Sequence, residues 1–358
     1  MTRRDFIKNS AIAGGVVTFG APLFSSCVST IDSAPDRYPK LPGHKIQSPE
    51  HYGIEGCMTG FWPGWQPNRT PYGNIKNYEE KAGKPPSIKF IRYQLTGIPI
   101  PFGAIDRMIE TAENGTIPFV TYDGRYHVGQ KKNNILNEVL AGKHDRMIKR
   151  AAIRLRKAYG EKYGGFFIRF FREMNIDSWG GLWGLQPKKF KKAYNHIGDI
   201  FDHEGAAEYA TFVWNPYSVY WKGTKYSNLE SYYPGDKYVD WIGLNAYNHN
   251  LSQSFQHMLG SNIRWLHKRH PNKPIMIAEY GIDENPYKAR FVKEAFERTK
   301  IDFPEVRALL WWDENWKSSL GGVDSRIDSS EKALAAFRVE IADPYFLGTV
   351  PYRKKLSL

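Results

Sequence analysis

The chain has 358 residues, a formal net charge of +13, 41% hydrophobic residues and a high aromatic share of 15%, with 11 Trp and 22 Tyr. That hydrophobic content is ordinary for a soluble globular protein, and the length suits one large domain, since barrels of alternating strands and helices commonly reach it. Cys27 and Cys57 are the only cysteines, which excludes a disulfide framework and a metal site built on thiolates. The positive charge lies mostly on amphipathic helical segments such as Asp145–Tyr159 and Pro187–Asp202, so it reads as solvated helix faces. With no nucleic-acid motif present, no nucleic-acid partner is expected.

In chain order, Arg3-Arg4 followed by Phe6 and Ile7 opens a short apolar stretch, Ala11–Phe24, too brief to span a bilayer. Residues 1–27 resemble a twin-arginine export signal, and Leu23–Cys27 loosely matches a lipoprotein cleavage box. The expectation is an exported protein, periplasmic or at the cell surface, anchored through a lipidated Cys27. Residues 28–50, rich in Ser, Pro and charge, read as a flexible tether, 51–347 as the catalytic domain and 348–358 as a tail.

Eight apolar, strand-like runs follow: Gly53–Phe61, Ile88–Leu95, Ile117–Tyr122, Phe166–Phe171, Thr211–Trp214, Val239–Asn245, Pro274–Glu279 and Ala308–Trp312. Helical periodicity fills the intervals at Gly103–Asn114, Asn134–Tyr159, Pro187–Glu204, Ser254–His270 and Tyr287–Thr299, and is faint after the first and fifth runs. Purely apolar strands alternating with helices predict a parallel sheet, and a count of eight predicts closure into a single α/β domain, a (β/α)8 barrel. No Gly-rich phosphate-binding turn follows the first run, which removes a doubly wound dinucleotide fold.

Two runs end in an acid: the fourth leads to Glu173, the seventh to Glu279. In a barrel both face the C-terminal mouth, where catalytic groups sit. Strict alternation puts Arg169, Phe171 and Glu173 on one face, and Ile275, Ile277 and Glu279 on one face. Paired carboxylates there suit glycoside hydrolysis, which needs a proton donor at the leaving oxygen and a nucleophile or base across the ring. The nucleophile must stay ionised, so it wants donors such as Tyr247 and Arg169. The acid needs a raised pKa beside rings such as Phe171 and Trp179. Trp214 and Trp312 also end strands, and Trp62, Trp65, Tyr220 and Trp221 lie on rim loops that would extend a cleft. The histidines show no metal-ligand spacing, and no cofactor is expected.

The motifs FFIRFFREMN, FVWNPY, YYPGDKYVDWIGLNAY, IMIAEYG and ALLWWDE, in that order between about Tyr52 and Phe346, resemble glycoside hydrolase family 26. That is a retaining (β/α)8 family best known for endo-β-mannanases. The resemblance implies that Glu173 is the acid/base, Glu279 the nucleophile and Tyr247 the ring that hydrogen-bonds it. It also implies substrate contacts at Arg172, Asn175, Trp179, Trp214, Tyr247 and Trp312. Two residues depart from the pattern: Arg172 stands where the family has His before the acid/base, and Ile176 stands where it has Gly. A guanidinium is a permanent cation with donors only, so the adjoining subsite differs chemically. The implied activity is endo-cleavage of a β-linked polysaccharide by a monomer, β-1,4-mannan first. The alternatives are β-glucan, β-xylan, an anionic or bacterial exopolysaccharide, and a non-catalytic carbohydrate-binding barrel.

Overall fold

A computed structural model describes residues 45–64, 71–94, 102–123, 135–176, 183–219, 226–249, 253–317 and 322–349. Eight parallel strands form the barrel: β1 (Cys57–Trp62), β2 (Ile88–Gln94), β3 (Ile117–Asp123), β4 (Phe166–Phe170), β5 (Ala210–Trp214), β6 (Trp241–Asn248), β7 (Ile275–Ile282) and β8 (Val306–Trp312). Neighbours in sequence are neighbours in the sheet, and β1 pairs with both β8 and β2, which closes the ring. This is the (β/α)8 barrel that the eight runs predict. A ninth strand, β9 (Phe346–Leu347), pairs in parallel with β1 at Cys57 and Met58. It fills a real gap: β1 and β2 share only two register pairs, and the Leu347 carbonyl there accepts from Thr59 Oγ1 at 2.9 Å and Ser87 Oγ at 2.8 Å.

Two apolar layers result. Inside the barrel, Met58, Ile88, Phe90, Ile117, Phe119, Phe167, Val213, Trp241, Met276, Ala308 and Leu310 interdigitate, each large side chain contributing about 1.5–3 kcal/mol by leaving water. Outside, alternate residues such as Ile91, Phe170, Phe212, Leu244, Ile277 and Trp311 meet the helices. Gly60 sits where β1 is squeezed between two strands. A Cβ there would lie 2.8 Å from both the Ile88 carbonyl oxygen and Leu310 Cγ. Ile46 plugs the floor, its N–H donated to Thr211 Oγ1 at 2.7 Å and its carbonyl accepting from Trp241 Nε1 at 3.0 Å.

The helices differ from expectation in three places. The segment expected as one helix over 134–159 is broken: Ile135–Leu140 stops at Gly142, whose φ of +71° no ordinary helix tolerates, and a new helix begins at Asp145. The faint interval after β1 holds a full helix, Pro71–Ala82. A further helix, Glu331–Ile341, follows β8, its first turn capped by Ser330, whose Oγ accepts from the Ala333 N–H. It packs Phe337 edge-on against Trp311 and Phe296, so it covers the seam where the barrel closes.

Candidate active site

Glu173 reaches the mouth by a left-handed turn. Beyond Phe170 the chain takes φ of +50° at Phe171 and +56° at Glu173, conformations that cost an L-residue roughly 1–2 kcal/mol each. Hydrogen bonds offset the strain: Glu173 N–H donates to the Asn215 carbonyl at 2.8 Å, and Trp183 Nε1–H donates to the Arg172 carbonyl at 2.8 Å. The turn breaks the alternation expected of Arg169, Phe171 and Glu173. Phe171 swings into the outer layer against Trp183, with ring centroids 5.9 Å apart, while the acid stays inside.

Glu279 arrives by a different device. Ile275 and Ile277 belong to the outer layer and Met276 and Ala278 to the barrel interior, so strict alternation would turn Glu279 toward the helices. A β-bulge intervenes. Leu244 and Asn245 are consecutive on β6 but face Ile277 and Glu279 on β7, one extra residue on the bulged strand, and the register on the β8 side shifts over the same stretch. The shared face expected for Ile275, Ile277 and Glu279 is thereby corrected: the bulge, not the period, turns Glu279 inward.

A chain of buried polar groups links the two acids. Arg169, fully buried on β4, lies over the Phe90 ring at 4.3 Å and donates Nε–H to Thr121 Oγ1 at 2.8 Å. Its other nitrogens donate to Asn215 Oδ1 and Glu279 Oε1. Tyr247 Oη donates to Glu279 Oε2 at 2.7 Å, and Arg172 Nε lies 3.3 Å from Glu279 Oε1. On the other side, Asn215 Nδ2 donates to Asn245 Oδ1 at 3.0 Å and Asn245 Nδ2 donates to Glu173 Oε1 at 2.8 Å. Gly243 makes room for this: a Cβ on it would meet Asn215 Cγ at 3.0 Å.

These partners set the two carboxyl groups apart. Burial pushes Glu173 up, and although Arg172, Asn245 and Arg169 pull it back, it stays above the usual carboxylate range. Burial pushes on Glu279 too, but Arg169, Arg172 and the Tyr247 hydroxyl outweigh it and hold Glu279 below that range. The arrangement makes Glu173 the group that holds a proton more tightly and Glu279 the one that ionises more readily.

Several residues expected at the substrate stand elsewhere. Trp214 is a correction: it is fully buried in the outer layer, edge-on to Tyr233 at 5.1 Å, because Thr211 and Val213 take the inward positions of β5. Asn175 is another; its Oδ1 accepts from Tyr217 N–H at 2.8 Å and its Nδ2 donates to the Tyr217 carbonyl at 2.9 Å, so the amide braces a loop. Arg172 turns its charge onto Glu279 and is only 5% exposed. Trp312 does sit inside the mouth, stacked at 5.1 Å on Trp62, whose Nε1–H donates to Glu314 Oε2 at 2.8 Å. Trp179, Trp65, Tyr220, Trp221 and Cys27 lie outside the described residues. Unforeseen from sequence were Asn215, Asn245 and Thr121, and also Trp316, which meets Tyr247 edge-on at 5.5 Å. The NPY and NAY motifs did put Asn215 and Asn245 at strand ends, the one available signal. Among the described residues no cluster of His, Cys, Asp and Glu could hold a metal ion.

Comparison with known proteins adds an independent line. The sequence profile of Glycosyl hydrolase family 26 matches residues 130–278, taking in Glu173 and stopping one residue short of Glu279. Endoglucanase H of Acetivibrio thermocellus is 30% identical over 302 residues, covering 80% of this chain and 30% of that protein. These two matches support assigning the chain to glycosyl hydrolase family 26. A second relative, mannan endo-1,4-beta-mannosidase A and B of Caldalkalibacillus mannanilyticus, is 24% identical over 159 residues, covering 42% of this chain and 28% of that protein. The match therefore spans under a third of the length of either relative. Among solved structures, a family 26 β-mannanase from Bacteroides ovatus superposes with a TM-score of 0.64 at 15% identity, over 85% of this chain and 93% of that one, which shows the shared barrel. Within the family's pattern Arg172 and Ile176 remain the departures, and the structure gives Arg172 a partner in Glu279.

Proposed function

We propose that this family 26 protein is a retaining, endo-acting glycoside hydrolase that cleaves a neutral β-linked polysaccharide by double displacement. The observation that carries the reading is the opposite electrostatic setting of two buried carboxyl groups at one barrel mouth. Glu279, ionised, attacks the anomeric carbon as the glycosidic C–O bond breaks, and Glu173 gives its proton to the departing oxygen. Glu173, now a base, takes a proton from water; the resulting hydroxide equivalent displaces Glu279 and restores both groups. Retention is the stereochemistry general to family 26.

For the substrate, glucan goes ahead of mannan, because the longer and more identical match bears the name endoglucanase. The anionic polymer that a free Arg172 would favour loses its support, since that cation already faces Glu279. Reducing-end release from mixed-linkage β-glucan, β-1,4-mannan, β-1,4-xylan and a polyuronate tests this. Release from a neutral polymer, with the first-formed anomer seen by NMR keeping the substrate's β configuration, is expected. An α product, or cleavage of the polyuronate alone, overturns the reading. We also propose that the enzyme works outside the cytoplasm as a lipoprotein: palmitate should label the chain, and Cys27→Ser should abolish that labelling.

A further inference from the structure

The hydrogen-bond chain between the two acids has a direction fixed by chemistry. Arg169 has only donors, so the Asn215 atom facing it is the oxygen. On its other side Asn215 Nδ2 lies 3.2 Å from the Pro216 carbonyl, which only accepts, so the same orientation is required twice. The Asn215 amide therefore donates to Asn245 Oδ1, and Asn245 has its Nδ2 to give to Glu173 Oε1. Both amides are fully buried.

We infer that Asn215 and Asn245 are positioning residues that dictate which oxygen of Glu173 carries the acid proton. Oε1 must accept the Asn245 N–H, so the neutral acid holds its proton on Oε2. A permanent cation at one end of the relay thereby sets the proton's place at the other. Among the described residues, the charged and titratable groups that act on Glu173 include Arg172 beside it, Arg169 on β4, Tyr247 on β6 and Glu279 on β7. All are left in place by a change at Asn245. The inference rests on the reading of Glu173 as acid/base.

Asn245→Asp tests the direction, because the shape is kept while the donor becomes an acceptor. The new carboxylate accepts from Asn215 and draws the Glu173 proton onto Oε1, away from the leaving group. The expected result is a loss of about 100-fold or more in kcat/KM on polysaccharide, but under about tenfold on a dinitrophenyl glycoside, whose leaving group needs no proton. The basic limb of kcat/KM should also move to higher pH. Asn245→Leu, which removes the donor without adding charge, should show the same split more weakly, and it decides the matter if the Asp variant does not melt cooperatively. Equal losses on both substrates with an unmoved basic limb would overturn the relay. Glu173→Ala, assayed in parallel, separates the two ideas: if it lacks the leaving-group split, the acid/base reading has failed; if it alone shows the split, only the relay has.

Discussion

The ends of β4 and β7 deliver the same functional group to the same mouth by opposite means. At β4 the backbone bends through two left-handed residues and brings the Asn245 amide to Glu173 Oε1, with Arg172 and Arg169 lowering its proton affinity less than burial raises it. At β7 a single inserted residue rotates the strand and leaves Glu279 between Arg169, Arg172 and Tyr247. Burial is nearly equal, 6% exposure against 3%. The difference in proton affinity therefore comes from the partners and not from depth. A carboxyl that accepts from a neutral amide keeps a high pKa in this low-dielectric pocket, while one that receives a guanidinium does not.

The sharpest way to break the comparison is to remove each acid. Glu279→Ala should lower turnover on every substrate by about 10⁴-fold or more, with azide restoring activity as the glycosyl azide of inverted configuration. Glu173→Ala should keep slow cleavage of substrates with good leaving groups, with azide giving the retained product. The reverse pattern of azide products would exchange the two roles.

Next in size is the cation that holds Glu279 down. Arg169→Met removes the donors to Thr121, Asn215 and Glu279 together and leaves a buried carboxylate without its closest charge. It should cost about 3–5 kcal/mol of stability by chemical denaturation, and activity by about 100-fold or more. Tyr247→Phe is milder. Losing its hydrogen bond lets burial push Glu279 up, so the acid limb of kcat/KM moves to higher pH, with a loss of about tenfold at neutrality. Arg172→Gln sharpens the comparison further, because Arg172 depresses both acids. The variant has no charge there at any pH, and both limbs of the pH profile should shift upward together. A shift of one limb alone would mean that Arg172 serves only one acid.

The contrast also shows what a sequence can hold. The barrel was legible, because eight apolar runs at regular spacing leave a chain few other ways to bury them. Arg169, Glu173, Tyr247 and Glu279, which stand together in the structure, were legible as groups at strand ends. What escaped was local. No period announces a bulge in IMIAEYG, since both faces of β7 are apolar and the extra residue shows only against its neighbours. Phe171 misled for a related reason: the left-handed turn after β4 is held by the Asn215 carbonyl, a group far off in sequence. Asn215 and Asn245 were quoted inside motifs yet given no role, because a relay of amides exists only once three strands lie side by side.

The smallest effect on activity is expected at Trp214, and it separates wall from core. As the last residue of β5, Trp214 has the type and strand-end position of a sugar platform, and Trp312 at the end of β8 has the same. Yet Trp214 faces the helices and Trp312 the mouth, since one ends its strand on an outward position and the other on an inward one. Trp214→Phe should therefore lower stability by about 1–3 kcal/mol, in proportion to the lost packing against Tyr233, and leave KM within about twofold. Trp312→Phe should do the converse, raising KM by about threefold to tenfold with less change in the melting temperature. Denaturant titration and steady-state kinetics on the same two variants decide it. A raised KM for Trp214→Phe would return that ring to the cleft, and a pair of equal effects would mean that the two strand ends differ less than their facing suggests.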